Sequence, residues 1–165
     1  MLKIRCSSIG KIMTNSRSKT ETLSKTCKTY LQELAVEEMY GKRKEFSSRY
    51  TDKGNQVEDD GIKLCESVLD LGFMYKNEEH FTNDYLTGTP DVNTDIILDV
   101  KSSWDATTFP FFAEDIPNKD YFYQLQGYMA LTGKRKSFLC YCLINTPELM
   151  VEDEVRRAHW KENLI

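Results

Sequence analysis

The chain has 165 residues, 40% of them hydrophobic and 29% charged, with only 8 Gly and 4 Pro. That balance excludes collagen-like, low-complexity and wholly disordered classes and leaves length for one domain with a sizeable core. The net charge of −4 hides an asymmetry, since residues 1–53 carry 12 Lys+Arg against 6 Asp+Glu and the remainder 10 against 20. A basic first third joined to an acidic rest suits a polyanion on one side and bound cations on the other, unless solvent-facing helices simply collected the charge.

In chain order, a short helix is predicted to begin at Ser7 or Ser8, whose hydroxyls can cap the free amides ahead of Ile9, Ile12 and Met13. A longer helix covers 23–40, with Cys27, Tyr30, Leu31, Leu34, Ala35 and Met39 at helical spacing and Gly41 as its stop. A third runs over 52–71 on the stripe Val57, Leu64, Cys65, Val68 and Leu69 and ends at Gly72. The period then changes: Phe73 and Tyr75 alternate with polar neighbours, as do Tyr85 and Thr87, and DIILDVKSS at 95–103 is a β-rich run. VNTD at 92–95 makes a hairpin turn. Residues 104–120 form an irregular, aromatic connection. A helix follows over 121–132, capped by Asn118 or Asp120 and stopped by Gly133, then a buried strand at 137–144 and a helical, polar tail. The order α-α-α-β-β-β-α-β-α is that of a mixed α/β layer protein.

No apolar run approaches the roughly 20 residues of a membrane helix, so no membrane partner is expected. The start, MLKIRCSSIGKIM, lacks the apolar stretch of a secretory signal, which predicts a cytoplasmic address. Cys6, Cys27, Cys65, Cys140 and Cys142 are scattered without a CxxC. Reduced thiols acting as small apolar fillers fit them better than a disulfide framework.

Chemistry concentrates in Gly88-Thr89-Pro90-Asp91 and Asp99-Val100-Lys101. Alternation along a strand puts Asp99 and Lys101 on one face, and a hairpin return brings Asp91 beside Asp99. Two converging carboxylates suit Mg²⁺, a hard cation that takes oxygen ligands and keeps several waters, with the Val100 carbonyl as a further oxygen. Lys101 would then stand beside a metal-bound water and offset charge growing on a phosphate. The alternative is a turn aspartate and an Asp99–Lys101 salt bridge. An acid and a base in an otherwise apolar strand argue against it, because buried charge is costly unless paired or metal-bound. Gly54-x-x-x-Glu58 adds either an outer metal or water contact or a solvent-facing acid. Gln124-x-x-x-Tyr128 places amide and phenol on one helical face, where they bind catalytic groups or a DNA strand, or merely edge a core helix. His80 and His159 read as surface residues. The blocks Lys42-Arg43-Lys44 and Lys134-Arg135-Lys136 meet phosphate or solvent. Trp104 and the aromatics at 109–112 stack on bases or cover a core edge.

These elements resemble the PD-(D/E)XK nuclease superfamily, and within it the phage lambda-type exonucleases, the YqaJ-like viral recombinase nucleases. The matches span most of the chain: CSSIGKI at 6–12, GNQVE at 54–58, TGTPD at 87–91, LDVK at 98–101 and YQLQGYMALTGKRKSFLCYC at 123–142. The resemblance implies a restriction-endonuclease-like αβββαβ core, a mixed central sheet flanked by helices. It would form a single nuclease domain over 1–165: a basic helical part to 53, a catalytic core over 54–144 and a polar tail. It implies metal-dependent hydrolysis of DNA, with Asp91 and Asp99 as metal ligands, Lys101 as catalytic lysine, Glu58 as the helical glutamate and Gln124 as the orienting glutamine. Mg²⁺ is the expected cofactor, Mn²⁺ its substitute, and an iron–sulfur cluster is not expected, since no cysteine follows Cys142.

The family's phosphate pocket uses hydroxyls, matched by Ser7 and Thr89, with Lys3 or Arg5 for an upstream arginine and Tyr128 nearby. A 5′-to-3′ exonuclease on double-stranded DNA ends follows, in phage-type recombination or end processing. Its setting would be a bacterial or phage-infected cell, beside a single-strand annealing protein and as a homo-oligomer. A structure- or site-specific endonuclease and a non-cutting DNA-binding protein are the rivals on this core. Family members continue past the strand at 140–144 with a further strand and helix, so either a shortened form or a fragment is expected here.

Overall fold

In a computed structural model, residues 2–44 and 48–162 are described. They form a mixed α/β protein with two small three-stranded sheets flanked by helices. The chain divides into two compact units, each discontinuous in sequence.

The first unit takes residues up to 46, 75–99 and 112–139. It opens with β1 (Ile4–Arg5), a 3₁₀ turn (Cys6–Ser8) and the short helix α1 (Ile9–Ile12). Ser8 stands at the start of α1, yet its side chain caps nothing. The preceding turn already satisfies an early amide, that of Ile9, which donates to the Cys6 carbonyl. Helix α2 (Lys25–Tyr40) is capped by Ser24, whose hydroxyl accepts from the Cys27 amide, and buries Cys27, Tyr30 and Leu34. It stops at Gly41, as α5 (Lys119–Thr132) does at Gly133, both glycines in the left-handed conformation that closes a helix. Asn118, not Asp120, caps α5. Its inward residues Gln124, Leu125, Gly127 and Tyr128 recur at helical spacing.

Strands β2 (Phe81–Thr82) and β3 (Leu86–Gly88) pair antiparallel, and β1 adds to β3 in parallel. The two-residue β1 was not legible as a strand. The core here gathers Cys6, Ile97, Leu125 and Tyr128, with Ile9, Ile116, Met129, Leu131 and Leu139 around them. Burial pushes the Cys6 thiol up to about 11.

In the second sheet β4 (Val92–Asn93) is antiparallel to β5 (Ile97–Ser102). The expected VNTD turn is therefore half strand. The loop proper is 94–96, closed by the Thr94 amide on the Ile96 carbonyl and by the Lys134 ammonium on the Thr94 carbonyl. Strand β6 (Ser137–Cys142) lies on the other side of β5. The Ile97 amide donates to the Lys136 carbonyl and the Ser103 amide to that of Cys142; both bonds advance together, so the pair is parallel. Burial is continuous from Ile96 to Val100, as in a strand covered on both faces.

The second unit takes residues 47–74, 100–111 and 140 onward. The single helix expected over 52–71 is two: α3 (Arg49–Gln56) and α4 (Glu58–Val68). A capping box of Ser48 and Thr51 starts α3 early. Val57, 2% exposed with φ −104° and ψ 8°, breaks the ladder after the weak helix formers Gly54 and Asn55. Residues 73–80 form no strand, and Phe73 and Tyr75 are exposed while Met74 between them is buried, its amide donating to Glu66. The alternation there runs in the opposite phase to the one read from sequence. Cys65 and Cys142 are buried with sulfurs 3.6 Å apart. Helix α6 (Glu148–Glu162) exposes Leu149 and Trp160. No described helix is long and apolar enough to cross a membrane.

Candidate active site

The candidate residues fall into two sets, one in each unit. In the first, Asp99 lies on β5 at 1% exposure, where an ionised carboxylate requires partners. Its Oδ1 accepts from Gln124 Nε2 at 3.0 Å, and the same amide nitrogen donates to the Tyr128 hydroxyl at 2.9 Å. The carboxylate accepts only, so it fixes which end of the Gln124 amide faces it. One turn of α5 separates Gln124 from Tyr128 and stacks them on one face.

The Tyr128 phenol is held well above the ordinary tyrosine range, first by burial, then by the negative charge of Asp99, with the Gln124 hydrogen bond opposing and Asp91 adding in the same direction. The charges of both aspartates thus bear on one buried phenol. Tyr128 itself is 5% exposed and packs in the core, so its hydroxyl supports Gln124 where a phosphate contact had been expected.

Asp91 is half-buried after the buried Pro90. Asn77 pins this turn: its amide donates to the Asp91 carbonyl at 2.8 Å and its Nδ2 to the Pro90 carbonyl at 3.0 Å. Gly88 opens the turn against the core, and a Cβ there would lie 2.8 Å from Tyr128 Cε1 and 3.0 Å from Cys6 Sγ. Only glycine admits that approach. Asn77 escaped the sequence reading because an isolated asparagine in a polar run carries no pattern.

Among the expected phosphate contacts, Ser7 is exposed on the 3₁₀ turn. Thr89 Oγ1 lies 2.9 Å from His80 Nδ1, and Thr87 Oγ1 lies 2.7 Å from Nε2 of the same ring. His80 is at the surface as expected, yet it bridges two hydroxyls of the TGTPD segment. Lys3 donates to Thr82 Oγ1 at 2.8 Å. Arg5 pairs with Glu37 of α2, which raises the guanidinium and lowers the carboxyl from their ordinary values.

In the second unit, Lys101 is half-buried on β5 and Glu58 half-buried as the first residue of α4. A Cβ on Gly61 would stand 2.7 Å from Val100 Cγ1, so the first turn of α4 packs directly on β5 at the residue between Asp99 and Lys101. The buried Lys53 of α3 was missed, since a lysine beside Gly54 reads as solvated. Trp104 packs edge-on to the exposed Tyr50 at 5.0 Å, and Phe112 is 97% exposed.

Among the described residues no three His, Cys, Asp or Glu side chains gather into an all-protein metal cage. Asp91 and Asp99 offer carboxylate oxygens of the kind Mg²⁺ takes, with water completing its shell. A buried aspartate oriented by an amide donor fits such an ion as an outer contact orients a ligand.

No protein-family model and no curated protein sequence matches the chain. Among solved structures, a phage-related exonuclease from Haemophilus somnus 129PT is 34% identical, with a TM-score of 0.78 over 88% of this chain and 70% of that one. The alkaline exonuclease LHK-Exo from Laribacter hongkongensis is 18% identical, with a TM-score of 0.66 over 90% of this chain and 73% of its own. The same enzyme in complex with dAMP gives 20% identity over the same shares. These two show the restriction-endonuclease-like fold, and the first shows kinship. The chain belongs to the phage lambda-type, YqaJ-like exonuclease family.

Proposed function

We propose that the chain is a Mg²⁺-dependent deoxyribonuclease that degrades double-stranded DNA from its ends in the 5′-to-3′ direction, serving phage-type recombination or end processing. The observation that carries this is the Gln124–Asp99 hydrogen bond, in which the Q-x-x-x-Y helix grips the acidic residue of L-D-V-K. Asp91, Asp99 and the Val100 carbonyl would hold the ion, with Glu58 reaching it through water and Mn²⁺ able to replace it. Bound there, Mg²⁺ supplies Lewis-acid polarisation of the phosphate and a water of lowered pKa. Gln124 holds Asp99 in one rotamer, and Tyr128 holds Gln124. Lys101 orients the attacking water and offsets charge growing on the phosphate. Ser7, Thr89, Lys3 and Arg5 face the DNA backbone. An annealing protein, a homo-oligomer and a cytoplasmic setting complete the reading.

The test is incubation of 5′-labelled linear duplex, 3′-labelled linear duplex and closed circular DNA, each with Mg²⁺ and with EDTA. Mononucleotides from linear duplex only, 5′ label first and none in EDTA, are expected. Nicked circles would assign an endonuclease, and DNA binding without any cut a non-cutting protein.

A further inference from the structure

The second unit contains a buried cation that the proposed chemistry does not use. Lys53 is 1% exposed. Its ammonium donates to the Ser103 carbonyl at 3.0 Å and the Trp104 carbonyl at 2.8 Å, and lies 5.7 Å from the centre of the Trp104 ring. Burial lowers its pKa from the ordinary lysine value, while the Asp105 charge opposes that. Withdrawing an ammonium from water is costly, and an apolar side chain of equal length would fill the space without that penalty.

Both acceptors lie where β5 ends, two and three residues beyond Lys101. At the other end of the contact, the Lys53 carbonyl accepts from the Val57 amide at 3.1 Å, at the break that starts α4 at Glu58. One side chain therefore joins the helix pair that carries Glu58 to the exit of the strand that carries Lys101. The Ser103 amide also ties the strand exit to the Cys142 carbonyl at 2.9 Å.

We propose that Lys53 is a positioning residue that fixes the exit of β5 through the Ser103 and Trp104 carbonyls and so sets Lys101 relative to Glu58 for catalysis. This rests on the nuclease reading above. Displacing a catalytic group by about an ångström costs up to ~100-fold in rate, and such a loss falls on kcat, because the buried Lys53 ammonium is engaged by the Ser103 and Trp104 carbonyls.

The test compares Lys53→Met, Lys53→Gln and the parent by steady-state cleavage of linear duplex in Mg²⁺, with circular dichroism to establish folding and hydrogen exchange at the Ser103 amide. Lys53→Met should lower kcat about tenfold or more with KM within about twofold, and exchange at Ser103 should quicken about tenfold. Lys53→Gln, one bond shorter yet still a donor, should fall between. A folded variant with parent kcat and parent Ser103 exchange overturns the proposal, as does a loss confined to KM. If Lys53→Met does not fold, Lys53→Gln decides by the same two readings. A parent that cuts no DNA would sink the nuclease reading alone, since the exchange result stands without activity.

Discussion

Replacing Gln124 by leucine removes the bridge between Asp99 and Tyr128 while nearly conserving volume, so little cavity cost enters. Two buried hydrogen bonds disappear, one to a carboxylate and one to a phenol. The first is worth about 1.5–3 kcal/mol and the second about 1 kcal/mol, so Gln124→Leu should lose about 3 kcal/mol, a fall of roughly 10 °C in Tm for a chain of this size. Tyr128→Phe alone should lose about 1 kcal/mol, since it strips an acceptor from one amide proton. In the Gln124→Leu background the same change should cost less, leaving a coupling energy of about 1 kcal/mol. Urea unfolding of the four proteins, followed by circular dichroism in EDTA, measures all of these without metal. Additive losses, or a Gln124→Leu variant within about 0.5 kcal/mol of the parent, would refute the bridge.

Asp91→Asn and Lys101→Ala should each fold and each cut linear duplex at least ~100-fold more slowly, the lysine variant with unchanged DNA affinity by fluorescence anisotropy; equal loss of affinity and rate would make Lys101 a phosphate anchor. Asn77→Ala, which frees the Pro90 carbonyl, should lower Tm and raise the Mg²⁺ concentration needed for half-maximal rate, measured by Mg²⁺ titration. The phenol of Tyr128 keeps its proton above pH ~10, where an unfolded tyrosine ionises. The unfolded chain then binds fewer protons, and stability falls as pH rises through that value toward the raised folded one. Tyr128→Phe should remove that part of the alkaline decline in denaturant titrations. Charge reversal at Lys42, Arg43 and Lys44 should flatten the salt dependence of DNA binding if that block meets phosphate, and an unchanged slope assigns it to solvent.

The parts of this protein legible in the sequence are those whose signals are local. Ser24 and Gly41 bound α2, Gly133 ends α5, and the apolar run at 96–100 is a strand, because caps and periodicity report on neighbours a few residues away. Asp99 with Gln124 was legible for another reason: a charge inside an apolar strand requires an explanation. What stayed hidden depends on distant partners. The Val57 break, the phase of residues 73–75 and the two-residue β1 are set by packing that no window of sequence contains. Asn77 and Lys53 bind main-chain carbonyls, which every residue has, so neither leaves a pattern to find.

Strand β1 bears on how the protein comes into being. Ile4 and Arg5 find their hydrogen-bonding partners in Leu86 and Thr87, and Cys6 finds its packing in Leu125 and Tyr128. During synthesis these residues emerge long before α5, the last helix of their unit, and this core cannot close until it arrives. Helix α2, capped within itself, can form early, while β1 has no partner until β3 has emerged. Closing such long loops is entropically expensive and slow. The nascent chain thus carries an unpaired strand until β3 emerges, and the apolar face around Ile9 until α5 does. That is the interval in which a chaperone has most to offer it.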